Sequence, residues 1–171
     1  MPKIIFETER LIIREVESTD LDSLFAICGN DELMKYTDNG AISKELTKKW
    51  IEVSITNYAT KGYGMSAVVF KANMEFIGYC GLVYSKDVND NELIYAIKKE
   101  YWGQQLATEM AAQMVRFGFE KIKLKTIFAS IDPDNLASKK ILLKLGFVEL
   151  YTKDDEYGNP TIYYERQPPH L

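Results

Sequence analysis

The chain has 171 residues, of which 46% are hydrophobic and 27% charged, and its net charge is −4. A chain of this length and composition can bury a substantial core, so we expect one domain spanning residues 1–171. The negative charge is spread without runs of like charge, which argues against direct binding to nucleic acid or to an anionic membrane.

Cysteine and histidine are scarce, which limits the possible chemistry. Cys28 and Cys80 lie in unrelated segments, which favours free thiols in a cytoplasmic protein. The only histidine is His170, so histidine-based triads, metal centres and general bases are not expected. No apolar stretch approaches the ~18 residues of a membrane span, and the amino-terminal residues turn charged too early for a signal peptide. We therefore expect a soluble protein without a metal, whose chemistry depends on carboxylates, hydroxyls, backbone groups and water.

Hydrophobic periodicity divides the first half of the chain into strands and helices. The predicted strands are residues 9–17, 66–71 and 75–84, and the predicted helices lie between residues 18 and 30 and between residues 43 and 62. Ser43 has the hydroxyl of a helix cap, and Gly62 tolerates the left-handed conformation that ends many helices. Asn73 and its neighbours form a short connection between the last two strands, which predicts an antiparallel hairpin.

The second half alternates strands and helices before a final hairpin. Its predicted strands are residues 92–98, 124–131, 147–152 and 161–166, and its predicted helices run from about 104 to 121 and from 134 or 135 to 145. A helical crossover between two strands makes them parallel. The sequence therefore predicts an α/β (mixed α+β) fold with a six- to seven-stranded, mostly antiparallel sheet, one central parallel pair and helices on both faces. The parallel pair can separate at its carboxyl ends, leaving a crevice where ligands bind.

Two motifs flank this predicted crevice. The first is the tight turn Trp102-Gly103-Gln104-Gln105-Leu106-Ala107-Thr108-Glu109, between a strand and a helix. The free N–H groups of a first helical turn and the positive end of the helix dipole stabilise an anion without a basic side chain. The second motif consists of Asn135-Leu136-Ala137-Ser138 and Leu145-Gly146-Phe147. The first turn is therefore a candidate phosphate site.

This element order and these two motifs resemble the GCN5-related N-acetyltransferase (GNAT) superfamily over nearly the whole chain. The opening Thr8-Glu9-Arg10-Leu11-Ile12-Ile13-Arg14 and the Asn-x-Ala-Ser form of the second motif are most similar to the RimJ/RimL-type ribosomal-protein N-terminal acetyltransferases. The resemblance implies an acetyltransferase that transfers the acetyl group of acetyl-CoA to a primary amine. The acceptor is a protein N-terminus or a small molecule, and the protein is a monomer or a homodimer.

By the same resemblance, the turn holds the pyrophosphate of acetyl-CoA and the pantetheine arm pairs with a strand backbone. The residues implied in binding are Tyr95, Ala96, Ile97, Trp102, Gly103, Gln104, Gln105, Leu106, Ala107, Thr108, Asn135 and Ser138. Gln105 departs from the family pattern, which has glycine there. A positive φ at Gln105 would cost roughly 1–2 kcal/mol and weaken cofactor binding, whereas an ordinary helical φ would cost little.

Two residues are candidates for the chemistry of acetyl transfer. Glu92 is where many relatives place a carboxylate that draws a proton from the amine through water, and burial would raise its pKa. The alternative is a solvated residue after a turn. Relatives carry a tyrosine acid seven residues beyond the asparagine, where this chain has Leu142. The resemblance offers Ser138 in its place as the acid toward the coenzyme A sulfur, and the alternative is a helix-capping hydroxyl.

The acceptor is expected on the opposite side, over the first two helices and the final hairpin. Acidic side chains there would attract a cationic amine, and aromatic rings would flank it. The candidate residues are Tyr36, Asp38, Trp50, Tyr157 and Tyr163, with ordinary amphipathic packing as the alternative for each.

Two other functions remain open. Gln105 and the missing tyrosine at Leu142 favour a non-catalytic acyl-CoA-binding or interaction module of the same fold. The third interpretation is an unrelated α/β binding domain.

Overall fold

A computed structural model describes residues 2–37 and 40–169 of the chain. Its strands are β1 (Ile4–Glu7), β2 (Leu11–Glu15), β3 (Met65–Phe70), β4 (Glu75–Ser85), β5 (Asp90–Ile97), β6 (Ile127–Ile131), β7 (Val148–Asp154) and β8 (Pro160–Arg166). Its α-helices are α1 (Leu21–Cys28), α2 (Lys44–Lys61), α3 (Leu106–Glu120) and α4 (Leu136–Lys144). The strands form one sheet in the order β1-β2-β3-β4-β5-β6-β8-β7.

The sheet is antiparallel except between β5 and β6. β4 and β5 pair continuously from Gly78–Ile97 to Ser85–Asp90, whereas β5 and β6 pair only at Glu92 and Phe128. Both of these residues lie near the amino-terminal ends of their strands, so the carboxyl ends are left unpaired with each other. The predicted α/β class and the mixed sheet with one parallel pair are confirmed.

Helices cover both faces of the sheet, as predicted. On one face, α3 packs the stripe Leu106, Met110 and Met114, none of which is more than 1% exposed. On the other face, α1 and α2 pack against the sheet through residues that include Ile27 and Ile51. The site between β5 and β6 therefore has a distinct set of helices on each side.

The helix ends follow the local signals in the sequence. The Ser43 side chain caps α2, and Gly62 ends that helix with a φ of 83°. The Asn135 side chain caps α4, and Gly146 follows it with a φ of 84°. None of the helices in the described part of the chain has the length and apolarity needed to cross a membrane.

Three strand predictions need correction. The described residues form eight strands rather than six to seven, because Ile4–Glu7 pairs with β2 at the sheet edge. Its short apolar run lacks the alternation that identifies a half-buried strand. β2 covers Leu11–Glu15 rather than residues 9–17. β6 begins at Ile127 rather than 124, because Leu124 N still donates to Gly118 O of α3 (3.0 Å).

Candidate active site

Two parts of the chain diverge at the open end of the β5–β6 pair. We call residues 90–120 the first arm, since they comprise β5, the glutamine-rich turn and α3. We call residues 127–144 the second arm, since they comprise β6 and α4. The β7–β8 turn lies at the same end of the strands, because Ile131 at the carboxyl end of β6 pairs with Ile162 near the start of β8. The fold thus brings both sequence motifs to one gap.

The β5 backbone presents unpaired polar groups to this gap. Lys98 N donates to Ile77 O (2.8 Å), and these two residues are directly opposite each other in the β4–β5 register. This bond therefore identifies which β5 residues form hydrogen-bonded pairs with β4. In an antiparallel ladder, alternate residues direct both of their backbone groups to the partner strand. The backbone of Ala96 therefore faces β4, whereas the backbone groups of Tyr95 and Ile97 face the gap.

This alternation corrects the predicted backbone contacts. Both backbone groups of Ala96 are directed to β4, so they are not available to a ligand. The Ile97 carbonyl accepts a hydrogen bond from the Trp102 indole (2.9 Å), so Ile97 offers the gap only its N–H. Tyr95 offers both its N–H and its C=O.

The amino terminus of α3 has no side-chain cap. Glu109 N donates the first helical bond, to Gln105 O (3.0 Å), so the amides from Gln105 to Thr108 lack an i−4 acceptor. Gly103 has a φ of 78°, and a Cβ placed there would meet no described atom within 4 Å apart from those of its two chain neighbours. An open turn with unpaired amides at a helix start suits an anion.

Gln105 adopts the left-handed conformation, with φ 61° and ψ 20°. Of the two cases considered for this residue, the structure therefore has the strained one. A left-handed residue other than glycine costs roughly 1–2 kcal/mol. The side chain is held toward α4, where its Oε1 accepts from Lys144 Nζ (3.3 Å).

Glu109 anchors the first turn of α3 to the β1–β2 connection, a role that the sequence motifs did not predict. Its carboxylate accepts from Thr8 Oγ1 (2.6 Å), Arg10 N (3.0 Å) and Arg10 Nε (2.8 Å). Burial raises the pKa of Glu109, but the bonds from Thr8 and Arg10 together outweigh burial and lower it. The opening motif of the chain therefore fixes the position of the candidate phosphate turn.

Glu92 lies where the two arms join. Its side chain is 9% exposed, and within the described residues its Oε1 has no hydrogen-bond partner. Burial raises the pKa of this carboxyl, while the hydroxyls of Ser130 and Ser85 oppose the rise. The alternative of a solvated residue is therefore wrong. A buried carboxylate with a raised pKa has the properties of a general base.

The Ser138 hydroxyl does not cap α4. The cap is the Asn135 side chain, whose Oδ1 accepts from the backbone N of Ser138 (3.2 Å). The hydroxyl instead lies 2.6 Å from the Tyr95 hydroxyl, so the bond joins the second arm to the first. Leu142, where relatives have tyrosine, is completely buried in the core.

Two of the predicted acceptor residues already carry a lysine over their rings. Lys35 Nζ lies 5.1 Å from the ring centre of Tyr36, and Lys153 Nζ lies 5.4 Å from that of Tyr163. Tyr163 is fully buried and pairs with Ser130, so it shares the sheet face of the Glu92 site. The face of each ring can bind a cation, but in this structure a lysine ammonium group already occupies that position.

Trp50 and Tyr157, two of the other predicted acceptor residues, lie on different elements. Trp50 on α2 packs edge-on against Tyr79, with ring centres 6.4 Å apart. Tyr157 lies in the β7–β8 turn and is 51% exposed. Asp38 lies outside the described residues, as does His170.

The cysteines are free thiols, as predicted, and the structure shows that both are buried. Burial raises the pKa of Cys28 to about 12 and also raises that of Cys80. Residues 2–37 and 40–169 contain no group of three or more His, Cys, Asp or Glu side chains that could hold a metal ion.

Comparisons with known proteins identify the family. Residues 10–148 match the family model described as an acetyltransferase (GNAT) domain. The chain is 31% identical over 162 residues to the uncharacterized N-acetyltransferase YoaA of Bacillus subtilis, covering 93% of this chain and 92% of YoaA.

Solved structures agree on the fold. An acetyltransferase from Agrobacterium tumefaciens superimposes with a TM-score of 0.84 at 18% identity, covering 95% of this chain and 94% of that one. RimL, described as a ribosomal L7/L12 alpha-N-protein acetyltransferase and solved in complex with coenzyme A, superimposes with a TM-score of 0.79 at 19% identity. That match covers 96% of this chain and 98% of RimL. Because the family model covers residues 10–148 and YoaA is 31% identical, the chain belongs to the GNAT acetyltransferase family.

Proposed function

We propose that this protein, acting as a single domain, transfers the acetyl group of acetyl-CoA to a primary amine. Membership of the family supports acetyl transfer, and a primary amine as the acceptor is our inference. RimL, which shares the fold, is described as an alpha-N-protein acetyltransferase, which supports a protein N-terminus as one acceptor class. A small-molecule amine is the other.

The first arm is suited to bind acetyl-CoA. The unpaired amides from Gln105 to Thr108 and the positive end of the α3 dipole would hold the pyrophosphate. Pantetheine contains amide groups, and these would pair with the backbone of Tyr95 as an added strand. Trp102 and Gly103 shape the turn, and Asn135 lies across the gap at the start of α4.

Glu92 is suited to act as the base. An amine attacks only as the neutral form, so a proton must leave its nitrogen. Glu92 would take this proton through water. Its carboxylate is at the single point where β5 and β6 pair. A thioester that entered along the unpaired part of β5 would therefore reach Glu92 at the end of the gap. The raised pKa brings this carboxyl closer to the pH at which it must accept a proton.

Ser138 is suited to act as the acid. When the amine nitrogen bonds to the acetyl carbon, the carbon–sulfur bond breaks and the electron pair stays on the sulfur. The Ser138 hydroxyl would donate a proton to that sulfur. Its hydroxyl is not used for helix capping, so it is available for this role.

The acceptor would approach over α1, α2 and the β7–β8 turn. Glu92 lies on this face, since it alternates with Tyr95, which packs on the α3 side. Of the predicted aromatic residues, Tyr157 in the β7–β8 turn is 51% exposed, which makes it the most accessible to an acceptor.

The observation that carries this proposal is the combination of an uncapped α3 with a β5 edge that β6 leaves unpaired. The test is a thermal-shift titration with acetyl-CoA, followed by a panel of amino-terminal peptides and small amines with a thiol-reactive dye to detect released coenzyme A. We expect a rise in melting temperature and dye signal with at least one amine.

Two other outcomes would be informative. Tight binding without turnover across the panel would favour the non-catalytic module, for which the strained Gln105 is the structural argument. Absence of any thermal shift would contradict the assigned binding site.

A further inference from the structure

The Tyr95–Ser138 contact joins the two arms at the gap. Tyr95 belongs to the unpaired part of β5, and Ser138 lies in the first turn of α4. Their hydroxyl oxygens are 2.6 Å apart, a distance typical of a strong O–H···O bond. Ser138 is 9% exposed, so little water competes for the bond.

Serine alone is a poor acid toward a thiolate. An aliphatic hydroxyl holds its proton far more strongly than a thiol does, so it can give the proton away only if another group replaces it. The side chain that relatives would use, at position 142, is a leucine buried in the core. A phenol is a better acid than an alcohol and is the nearest hydroxyl to Ser138 in the structure.

We propose that Tyr95 is a positioning residue that completes the acid of this site by relaying its proton through Ser138. The proposal rests on the proposed function. In the step, the carbon–sulfur bond breaks and the Ser138 proton moves to the sulfur. The Tyr95 phenol proton then moves to Ser138 Oγ, and water later reprotonates the phenolate. Burial raises the pKa of Tyr95 to about 12, which is still below that of an aliphatic hydroxyl, so the phenol remains the stronger acid of the two hydroxyls.

The sheet places this relay and the base on opposite faces. Tyr95 packs with the α3 core cluster, while Glu92 is three residues earlier in the same strand and points the other way. The amine would lose its proton on one face, and the sulfur would gain a proton on the other. This separation prevents the acid and the base of the reaction from neutralising each other directly.

The variant Tyr95→Phe keeps the ring and removes only the hydroxyl. Its matched control is Tyr84→Phe, which removes a hydroxyl bonded to Asn89 (2.6 Å) on an exposed tyrosine at the other end of the β4–β5 pair. The first readout needs no acceptor amine. Coenzyme A is bound to each protein, and thiolate absorbance is followed against pH, with desulfo-coenzyme A as the blank.

In bound coenzyme A, the Ser138 hydroxyl, supported by Tyr95, should donate a hydrogen bond to the sulfur. Such a donor stabilises the charged thiolate and lowers the pKa of the thiol. Tyr95→Phe should therefore lower the thiolate fraction at a fixed pH by about tenfold, as expected for loss of one hydrogen bond to a charged group. Tyr84→Phe should match the wild type. Ser138→Ala should give the same loss, and the double variant should lose no more than either single variant.

Three results would overturn the relay. Equal thiolate fractions in the wild type and Tyr95→Phe would show that the phenol does not act on the sulfur. Additive losses in the double variant would show two independent groups. Tighter binding of coenzyme A by Tyr95→Phe would show that the bond must break to admit the ligand. In each case coenzyme A binds, so the proposed function would stand, whereas absence of coenzyme A binding by the wild type would refute both.

Discussion

The two arms of the gap have the same topology but opposite local chemistry. In each arm, a strand of the parallel pair leads into a helix that begins at the same edge of the sheet. The first arm starts its helix with an uncapped, strained turn, whereas the second arm starts its helix with the Asn135 cap. The difference indicates a division of roles: the first arm has unpaired amides for an anion, and the second arm positions a hydroxyl.

The two edges of β5 differ in how much of their backbone is hydrogen-bonded. One edge of β5 is paired along its length with β4, and the other edge pairs with β6 only at Glu92. The unpaired groups of Tyr95 need a partner, since a buried backbone group without one is costly.

Glu92→Gln tests the joining point and should have the largest effect. We expect kcat to fall by about 10²–10³-fold, within the range that general bases contribute. The wild-type rate should decline toward acid pH with a midpoint above the ordinary glutamate pKa, and the variant should lack this decline. The measurement is coenzyme A release against pH. Glu120→Gln, which alters an exposed pair with Arg116, is the control and should behave as the wild type.

The same variant should increase stability at neutral pH. A raised pKa means that the folded state favours the protonated carboxyl, so the stability linked to this group is present at low pH and lost as the pH rises through the folded pKa. Glutamine mimics the protonated form, so the melting temperature of Glu92→Gln should exceed that of the wild type at pH 8 but not at pH 4. A lower melting temperature at pH 8 would contradict a buried carboxylate whose raised pKa reflects the cost of burying its charge.

Glu109→Gln tests the anchor of the first arm. It removes the charge that holds Thr8 and Arg10, so the first turn of α3 should shift. We expect KM for acetyl-CoA to rise by about tenfold, the equivalent of one charged hydrogen bond, with kcat changed little. Asp22→Asn, which breaks an exposed pair with Lys44, should leave KM unchanged.

The anchor also has a pH dependence. The pKa of Glu109 is lowered by folding, so its contribution to stability is present above the unfolded pKa and lost as the pH falls through the folded pKa. The wild type should therefore lose more stability on acidification than Glu109→Gln does. Equal acid sensitivity of the two proteins would argue against the anchor.

Gln105→Gly tests the strain in the first arm. Glycine adopts a positive φ without cost, so the variant should gain about 1 kcal/mol of stability. Lys123→Gly is a matched control, since Lys123 also has a positive φ but lies beyond the end of α3. Both variants should melt at higher temperature, but only Gln105→Gly should bind acetyl-CoA more tightly, by about twofold if half of that free energy appears in binding. Equal affinities would show that Gln105 does not affect the turn.

Asn135→Ala tests the capped helix of the second arm. Loss of a cap costs about 1 kcal/mol. Ser43→Ala removes the cap of α2 and should cost a similar amount of stability. Because Asn135 holds the backbone of Ser138, we expect Asn135→Ala alone to lower kcat, by about twofold to fivefold if part of that cost reaches the hydroxyl. A loss of kcat in Ser43→Ala of the same size would assign the effect to stability alone.

Local signals made much of the fold predictable. The caps Ser43 and Asn135, the terminating Gly62 and the stripe on α3 each depend on residues within a few positions of one another. The crossover rule then gives the parallel pair. The class of fold and the position of the gap could therefore be inferred from the sequence.

The details that depend on distant contacts could not be predicted. Glu109 and Thr8 are far apart in sequence, so their hydrogen bond follows only from the tertiary structure. The unavailability of the Ala96 backbone depends on which β5 residues pair with β4, and a shift of one residue would reverse it. The Tyr95–Ser138 bond needs both arms in place. The conformation of Gln105 is set by the turn, against the preference of a residue with a side chain.

The most direct test of the two-arm account is backbone amide hydrogen exchange, resolved by residue, with and without acetyl-CoA. The account predicts slower exchange at Tyr95, at Ile97 and at residues 105–108 when acetyl-CoA binds. The capped first turn of α4 should change much less. Binding without protection of the first arm, or with protection confined to α4, would contradict it.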